Sequence, residues 1–300
     1  MTSANSPSDN RTSIDTGNLT AIDTHVHVES DGHGCFSLDQ ELLDASAAYF
    51  KSGADRTPTL ERIAAKYQEL GMAAVVFTVD STTAMGHPAL SSMEIVERVT
   101  NEFADVLIPF GSVDPLQVER AVEQVGALAA AGARGFKFHP TMQAFAPNDP
   151  AVYPIYAAIA DAGVPAVFHT GQTGIGAGMP GGRGLKLRYS QPMLIDDVAA
   201  DFPDLTVILA HPSVPWQDEA ISMATHKGNV YIDLSGWSPK YFAPQLVRAF
   251  SSYLSHKFLF GSDYPVIDPE RWIRDFATLD VPDAARQQIM KDNAIRVLSL

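Results

Sequence analysis

The chain holds a single cysteine, Cys35, in 300 residues, so no intrachain disulfide can form and a reducing, cytoplasmic setting is expected. Disulfides are not needed either, because a globule of this length buries roughly 75% of the surface its unfolded chain exposes. No apolar run approaches the ~18–20 residues of a membrane span, and the first residues lack an apolar signal core. Basic residues are scarce. There are 21 against 35 acidic ones, a net charge of −14, which argues against nucleic acid as a partner. An anionic small molecule stays open, because the potential of a binding site is local. Neither a phosphate loop nor a dinucleotide fingerprint is present, since the glycine-rich stretch 170–189 has no strand–turn–helix frame around it.

What is present is an alternation of apolar runs and helical patterns. Residues 1–18 are polar (MTSANSPSDNRTSIDTGN) and are expected to form a disordered tail ahead of one domain over 19–300. Strands are predicted at 20–27, 73–79, 106–112, 133–139, 165–169, 205–211, 230–234 and 257–262. Helical patterns fall near 57–70, 92–104, 115–131, 150–162, 190–201, 215–227, 241–254 and 270–277. Eight such alternations close a parallel barrel, so the fold class is α/β, a (β/α)8 TIM barrel in a single domain. An extra C-terminal helix, from about Pro282 to Leu298, is expected to pack outside it. Two strand-to-helix connections, 28–56 and 170–189, are too long for simple turns. Such loops usually set specificity in a barrel. The second is rich in glycine, which suits a mobile lid or a backbone that must approach substrate, with a plain flexible loop as the alternative.

Five segments end in a metal-binding residue type just where an apolar run stops: AIDTHVH, GFKFHP, AVFHTG, VILAHP and FLFGSDYP. A barrel builds its active site at the carboxyl ends of its strands, which is where each of these His and Asp residues falls. Strand alternation points His25 and His27 to one face, so two imidazoles can chelate one ion. His169 adds a third nitrogen and Asp263 an oxygen. Three histidines and an aspartate with a position left for water suit zinc, and imidazole-rich ligation without thiolate also admits manganese, cobalt or iron. One divalent cation is expected, zinc first and manganese as the alternative. Asp263 can also take the proton of a metal-activated water, although an Asp after Gly-Ser also suits a helix N-cap. His211 is expected within reach of substrate as general acid/base or electrophile, with a structural histidine under a loop as the alternative.

His139 is a candidate substrate contact. Lys137 shares its face two residues deeper and could bridge two metals if carbamylated, but it should lie lower than the ligands, so a mononuclear site is expected. Arg183, Lys186 and Arg188 gather positive charge in an acidic chain and would suit a carboxylate or phosphate of the ligand. Arg183 and Arg188 are therefore candidate substrate contacts, with plain surface charge as the alternative. His33 and His87 lie in loops of the active face, Cys35 has no evident activating partner, and His226 and His256 precede strands at the opposite end.

Taken in order, IDTHVH, GFKFHP, FHTG, LAHP, GSDYP and the closing DNAIRVL resemble the amidohydrolase superfamily over roughly residues 19–300. The likeness is to the branch that includes aminocarboxymuconate-semialdehyde decarboxylase and γ-resorcylate decarboxylase. That resemblance implies His25, His27, His169 and Asp263 as metal ligands and His211 as the catalytic histidine. It also implies either a water-using hydrolase or a non-oxidative decarboxylase, and some members cleave β-ketoacyl thioesters derived from aromatic catabolism. The chain is shorter than many of the decarboxylases, which tilts the expectation toward hydrolysis of a small acid, lactone or β-ketoacyl substrate. The partner is then a small molecule, anionic or aromatic, and association into a homo-oligomer is compatible with the fold. A non-enzymatic barrel that keeps its metal as a binding element is the third reading.

Overall fold

In a computed structural model, which describes residues 14–50 and 56–300, each apolar run becomes one strand of a parallel barrel. The strands are β1 (Ala21–His27), β2 (Met72–Phe77), β3 (Leu107–Pro109), β4 (Phe136–Phe138), β5 (Ala166–His169), β6 (Val207–Ala210), β7 (Val230–Asp233) and β8 (Phe258–Leu259). Continuous ladders join β1 to β3 and β4 to β8, every pair parallel. Two seams complete the ring. Between β3 and β4, Gly111 N donates to Gly135 O (2.9 Å) and Lys137 N donates to Gly111 O (2.8 Å). Between β8 and β1, Thr24 N donates to Phe260 O (2.9 Å) and His27 N to Tyr264 O (2.8 Å). A ring closed in this way leaves no unpaired sheet edge.

Helices α1 (Gln40–Phe50) and α2 (Leu60–Glu69) follow β1, and α3 (Thr82–Met85) and α4 (Ser92–Glu102) follow β2. Then come α5 (Val118–Ala131) after β3, and α6 (Pro140–Gln143) and α7 (Tyr153–Asp161) after β4. Single helices α8 (Met193–Asp201), α9 (Gln217–His226) and α10 (Pro244–Ser251) follow β5, β6 and β7. Last are α11 (Pro269–Phe276), α12 (Asp283–Gln287), a π-helical turn over Gln288–Asp292, and α13 (Asn293–Leu298). Strand alternation divides the core into two layers. Ala74, Val76, Phe136, Phe138, Phe168, Leu209 and Ile232 face the helices. Ala73, Val75, Phe77, Ile108, Val167, Ile208 and Leu259 fill the interior. Each large apolar side chain so buried stabilises the fold by roughly 1.5–3 kcal/mol.

Three expectations change on contact with the structure. The long connection after β1 carries α1, whose Leu42 packs with Leu38 and Met142 in a small cluster of its own; its residues 51–55 lie outside the described residues. The closing helix is broken by the π turn, and it does more than pack outside. Ala294 and Leu298 join the interior cluster beside Ile22 and Ala73, and Lys291 Nζ donates to Leu19 O (2.9 Å), so the helix plugs the amino-terminal end of the barrel. Of the tail read over 1–18, residues 1–13 lie outside the described residues, while Ile14 is buried in that same interior cluster. Asp15 ties the turn that follows, accepting from Gly17 N (3.0 Å) and Asn18 Nδ2 (2.6 Å). Among the described residues no helix is long and apolar enough to cross a membrane.

Candidate active site

The His-x-His pair depends on a fault in its own strand. Pairing of β1 with β2 slips between Asp23 and Val26. A bulge of this kind re-aims the residues beyond it. Ile22 lies in the barrel interior, Asp23 turns outward to accept from Tyr67 Oη (2.6 Å), and His25 and His27 again point inward, each ring 5.0 Å from Phe77. Asp23 Oδ1 fastens the bulge by accepting from His25 N (3.1 Å) and Ser262 N (2.9 Å). Burial nonetheless pushes its carboxyl up to about 6 against the pull of those hydrogen bonds.

Asp263 arrives from the strand across the seam. Its backbone N donates to His25 O (2.9 Å), and its Oδ1 lies 3.3 Å from His25 Nε2 and 3.2 Å from His27 Nε2. Donor atoms of His25, His27 and Asp263 all fall within 4.8 Å of one another. Burial alone would raise the Asp263 carboxyl, but the three imidazoles around it, His27, His25 and His211, hold it below the usual carboxylate range. Burial, with Lys137 second, pushes His25 down to about 3, so its imidazole is neutral and can ligate. The Nδ1 of His25 meets Asp233 Oδ2 at 2.9 Å. An ionised carboxylate only accepts, so Nδ1 carries the proton and Nε2 offers its lone pair to the cluster.

Asp233 and Ser235 belong to the candidate site and were missed by the sequence reading. Both are fully buried at the end of β7. Ser235 Oγ lies 3.0 Å from His25 Nδ1 and 2.9 Å from His211 Nδ1, and it donates to Asp233 Oδ1. That same Oδ1 accepts from His211 N (3.2 Å) and Ser235 N (2.9 Å). The only available signal was the alternation VYIDLS, which puts Asp233 and Ser235 on the inward face.

His169 stands one step from the three-residue cluster. Its Nδ1 lies 2.9 Å from His211 Nε2, and its Nε2 is buried with no hydrogen-bond partner. An orphan of that kind is costly unless something else binds it. His139 stacks on His169 at 3.8 Å and 8°. Burial lowers His139 and His169 well below the ordinary histidine value and lowers His211 as well. Lys137 rises higher than its position suggested: its Nζ comes to 3.1 Å from His25 Nε2, and burial brings it down to about 8. His211 and Asp263 both have left-handed backbone, φ 72° and 68°, which costs a residue with a side chain roughly 1–2 kcal/mol. In His211 this breaks the alternation after Ala210, which already faces inward, and turns the imidazole to the cavity as well. Two glycines leave room for these side chains. A Cβ on Gly236 (φ 75°) would fall 2.5 Å from His211 Nδ1, and one on Gly261 would fall 3.0 Å from the Cβ of His25.

A cavity of about 570 Å³ opens above the cluster. His27, Lys137, His139, His169, His211 and Asp263 line its floor, while Tyr49, Phe50, Trp237, Tyr241, Val266 and Ile267 contribute apolar and aromatic wall. Arg183 and Arg188 are not among the lining residues. Arg183 pairs with Asp39 (2.6 Å), and the Arg188 guanidinium lies over Tyr189. Cys35 is exposed.

The donor set fits a divalent cation. His25, His27 and Asp263 converge, the Nδ1 of His25 is anchored on a carboxylate, and the orphan nitrogen of His169 stands nearby.

A family model described as amidohydrolase matches residues 22–300, and the chain belongs to that family. Among solved structures it is similar to an uncharacterized TIM-barrel protein of Bordetella bronchiseptica, at 24% identity and TM-score 0.74, covering 93% of this chain and 98% of that one. It is also similar to 5-carboxyvanillate decarboxylase of Sphingomonas paucimobilis, at 16% identity and TM-score 0.64, covering 94% and 99%. A third is a probable 2-pyrone-4,6-dicarboxylic acid hydrolase of Acinetobacter baumannii, at 14% identity and TM-score 0.60, covering 94% and 100%. Identities this low show a shared barrel and no more. No curated protein matches the chain by sequence.

Proposed function

We propose that the protein is a metal-dependent enzyme that cleaves a small acid with an apolar or aromatic body by attack of water at a carbonyl carbon. The observation that carries this reading is the meeting of His25 Nε2, His27 Nε2 and Asp263 Oδ1 on the floor of a large apolar-walled cavity. Those three side chains, with His169 beside them, would hold one divalent cation, zinc or manganese. Such a cation supplies Lewis acidity, polarising a carbonyl and making water more acidic. Asp263, kept ionised, accepts the proton of the attacking water. His211 Nε2, 2.9 Å from His169 Nδ1, gives up that contact, takes the proton from Asp263 and hands it to the leaving atom of the substrate. Ser235 Oγ holds the His211 ring by its other nitrogen, and Asp233 Oδ1 holds the His211 backbone N–H. Lys137 and His139 bind the acid's oxygens, and the aromatic wall excludes water from the body of the substrate.

Non-oxidative decarboxylation is the second reading. It is favoured by the shared barrel with 5-carboxyvanillate decarboxylase and by a buried ammonium, Lys137, at the point where a carboxylate would rest. The experiment is turnover in ¹⁸O-labelled water on a panel of aromatic acids, lactones and acyl thioesters. Label in the product acid supports hydrolysis. Carbon dioxide released without label in the organic product replaces it with decarboxylation.

A further inference from the structure

We propose that Arg271 selects substrates that carry a second carboxylate, held at the cavity mouth while the first reacts at the floor; this rests on the His25–His27–Asp263 centre proposed above. Arg271 lies in the first turn of α11 and lines the cavity, with its side chain 57% exposed. The other cationic side chain of the lining is Lys137, fully buried at the floor. The nearest carboxylate does little to neutralise Arg271. Asp275 Oδ2 is 4.0 Å from its Nε, and both Asp275 oxygens are already taken: Lys240 Nζ lies 2.8 Å from Oδ1, and Ser238 Oγ donates to Oδ2 at 2.8 Å. With Asp275 clamped by Lys240 and Ser238, Arg271 lines the cavity with its paired acid no closer than 4.0 Å, and a guanidinium with donors to spare can grip a carboxylate in two places.

Trp237, Val266 and Ile267 line the same cavity as Arg271, together with Tyr241, 72% exposed. A matching ligand has an anionic group at each end of a flat apolar body. The charge of the whole chain gives Arg271 further weight. At a net −14 the protein repels anions at distance, and a cation at the mouth makes entry of one favourable.

The test is calorimetric titration of metal-loaded protein with two matched pairs of acids, naphthalene-2-carboxylate against naphthalene-2,6-dicarboxylate and biphenyl-4-carboxylate against biphenyl-4,4′-dicarboxylate. The dicarboxylate of at least one pair is expected to bind about fivefold tighter than its monocarboxylate, the scale of a partly exposed ion pair, and to lose that advantage in high salt. In Arg271→Gln the two members of that pair should bind equally. If the wild type shows no preference in either pair, or the ratio survives the substitution, the role given to Arg271 is wrong while the metal centre stands. If none of the four acids binds the metal-loaded protein, the role given to Arg271 is likewise wrong, whereas a protein that retains no divalent cation after dialysis removes the centre itself.

Discussion

Replacing Asp233 by Asn tests the electrostatics of the centre without touching a ligand. The backbone N–H groups of His211 and Ser235 both donate to Oδ1, so they fix which way an asparagine must lie: its carbonyl takes the place of Oδ1. The amide nitrogen then stands where Oδ2 was, 2.9 Å from His25 Nδ1. Two donors now face each other. His25 relieves the clash by moving its proton to Nε2, the atom aimed at Asp263 and the cation. Loss of a carboxylate behind a metal-bound histidine typically weakens metal binding about 10–100-fold, or ~1.4–2.7 kcal/mol. Competition with a chromophoric chelator measures this directly, and unfolding of the metal-free variant, in which the side-chain acceptor for both backbone N–H groups is preserved, serves as the control. Metal affinity equal to the wild type would refute the argument and would mean that Asp233 does not set the tautomer of His25.

Other outcomes follow from single features. Asp263→Asn should abolish turnover on any substrate found for the wild type and release the metal more readily to chelator, yet leave the far-UV circular dichroism unchanged; retained turnover would remove Asp263 from the chemistry. In Gly236→Ala the new methyl meets His211 Nδ1 in a left-handed backbone, which should cost roughly 1–3 kcal/mol of stability as well as substrate binding, and a thermal midpoint equal to the wild type would contradict the close approach. For Asp275, burial would raise the carboxyl, but Lys240 and Ser238 outweigh it and hold the folded value below the ordinary one. A depressed acid contributes stability above its unfolded value, and that contribution fades as pH falls toward the folded value. The gap in thermal midpoint between wild type and Asp275→Asn should therefore shrink from pH 6 to pH 3. A constant gap would show that the pairing is not what holds Asp275.

The barrel was legible because its strands are buried on both faces and stand out as unbroken apolar runs, from MAAVVF to VILA. The candidate ligands were legible because they end those runs. What escaped was whatever depends on partners far apart in the chain. ELLDASAAYF, the helix inside the first long connection, mixes Ala and Ser with few large apolar residues, so its pattern is faint. Asp233 looked like the last residue of a strand, and nothing local shows that it faces His25 from 208 residues away. Arg183 and Arg188 were conspicuous as charge in an acidic chain, yet one is spent on Asp39 and neither lines the cavity. Arg271, in a helix that looked ordinary, does line it. Charge clusters are visible in a sequence; the direction of a guanidinium is not.

The seam between the first and last strands has a kinetic meaning. Thr24 bonds to Phe260, and Leu19 to Lys291, across nearly the whole length of the polypeptide. On the ribosome, the histidine pair near the start must wait for residues 258–298 to emerge before its carboxylate partner and the plug beneath it can arrive. Pairings this remote are slow to form and leave half-built barrels exposed to aggregation. The proposed cation site can therefore close only when the cylinder shuts, which would make metal uptake a mark of finished folding.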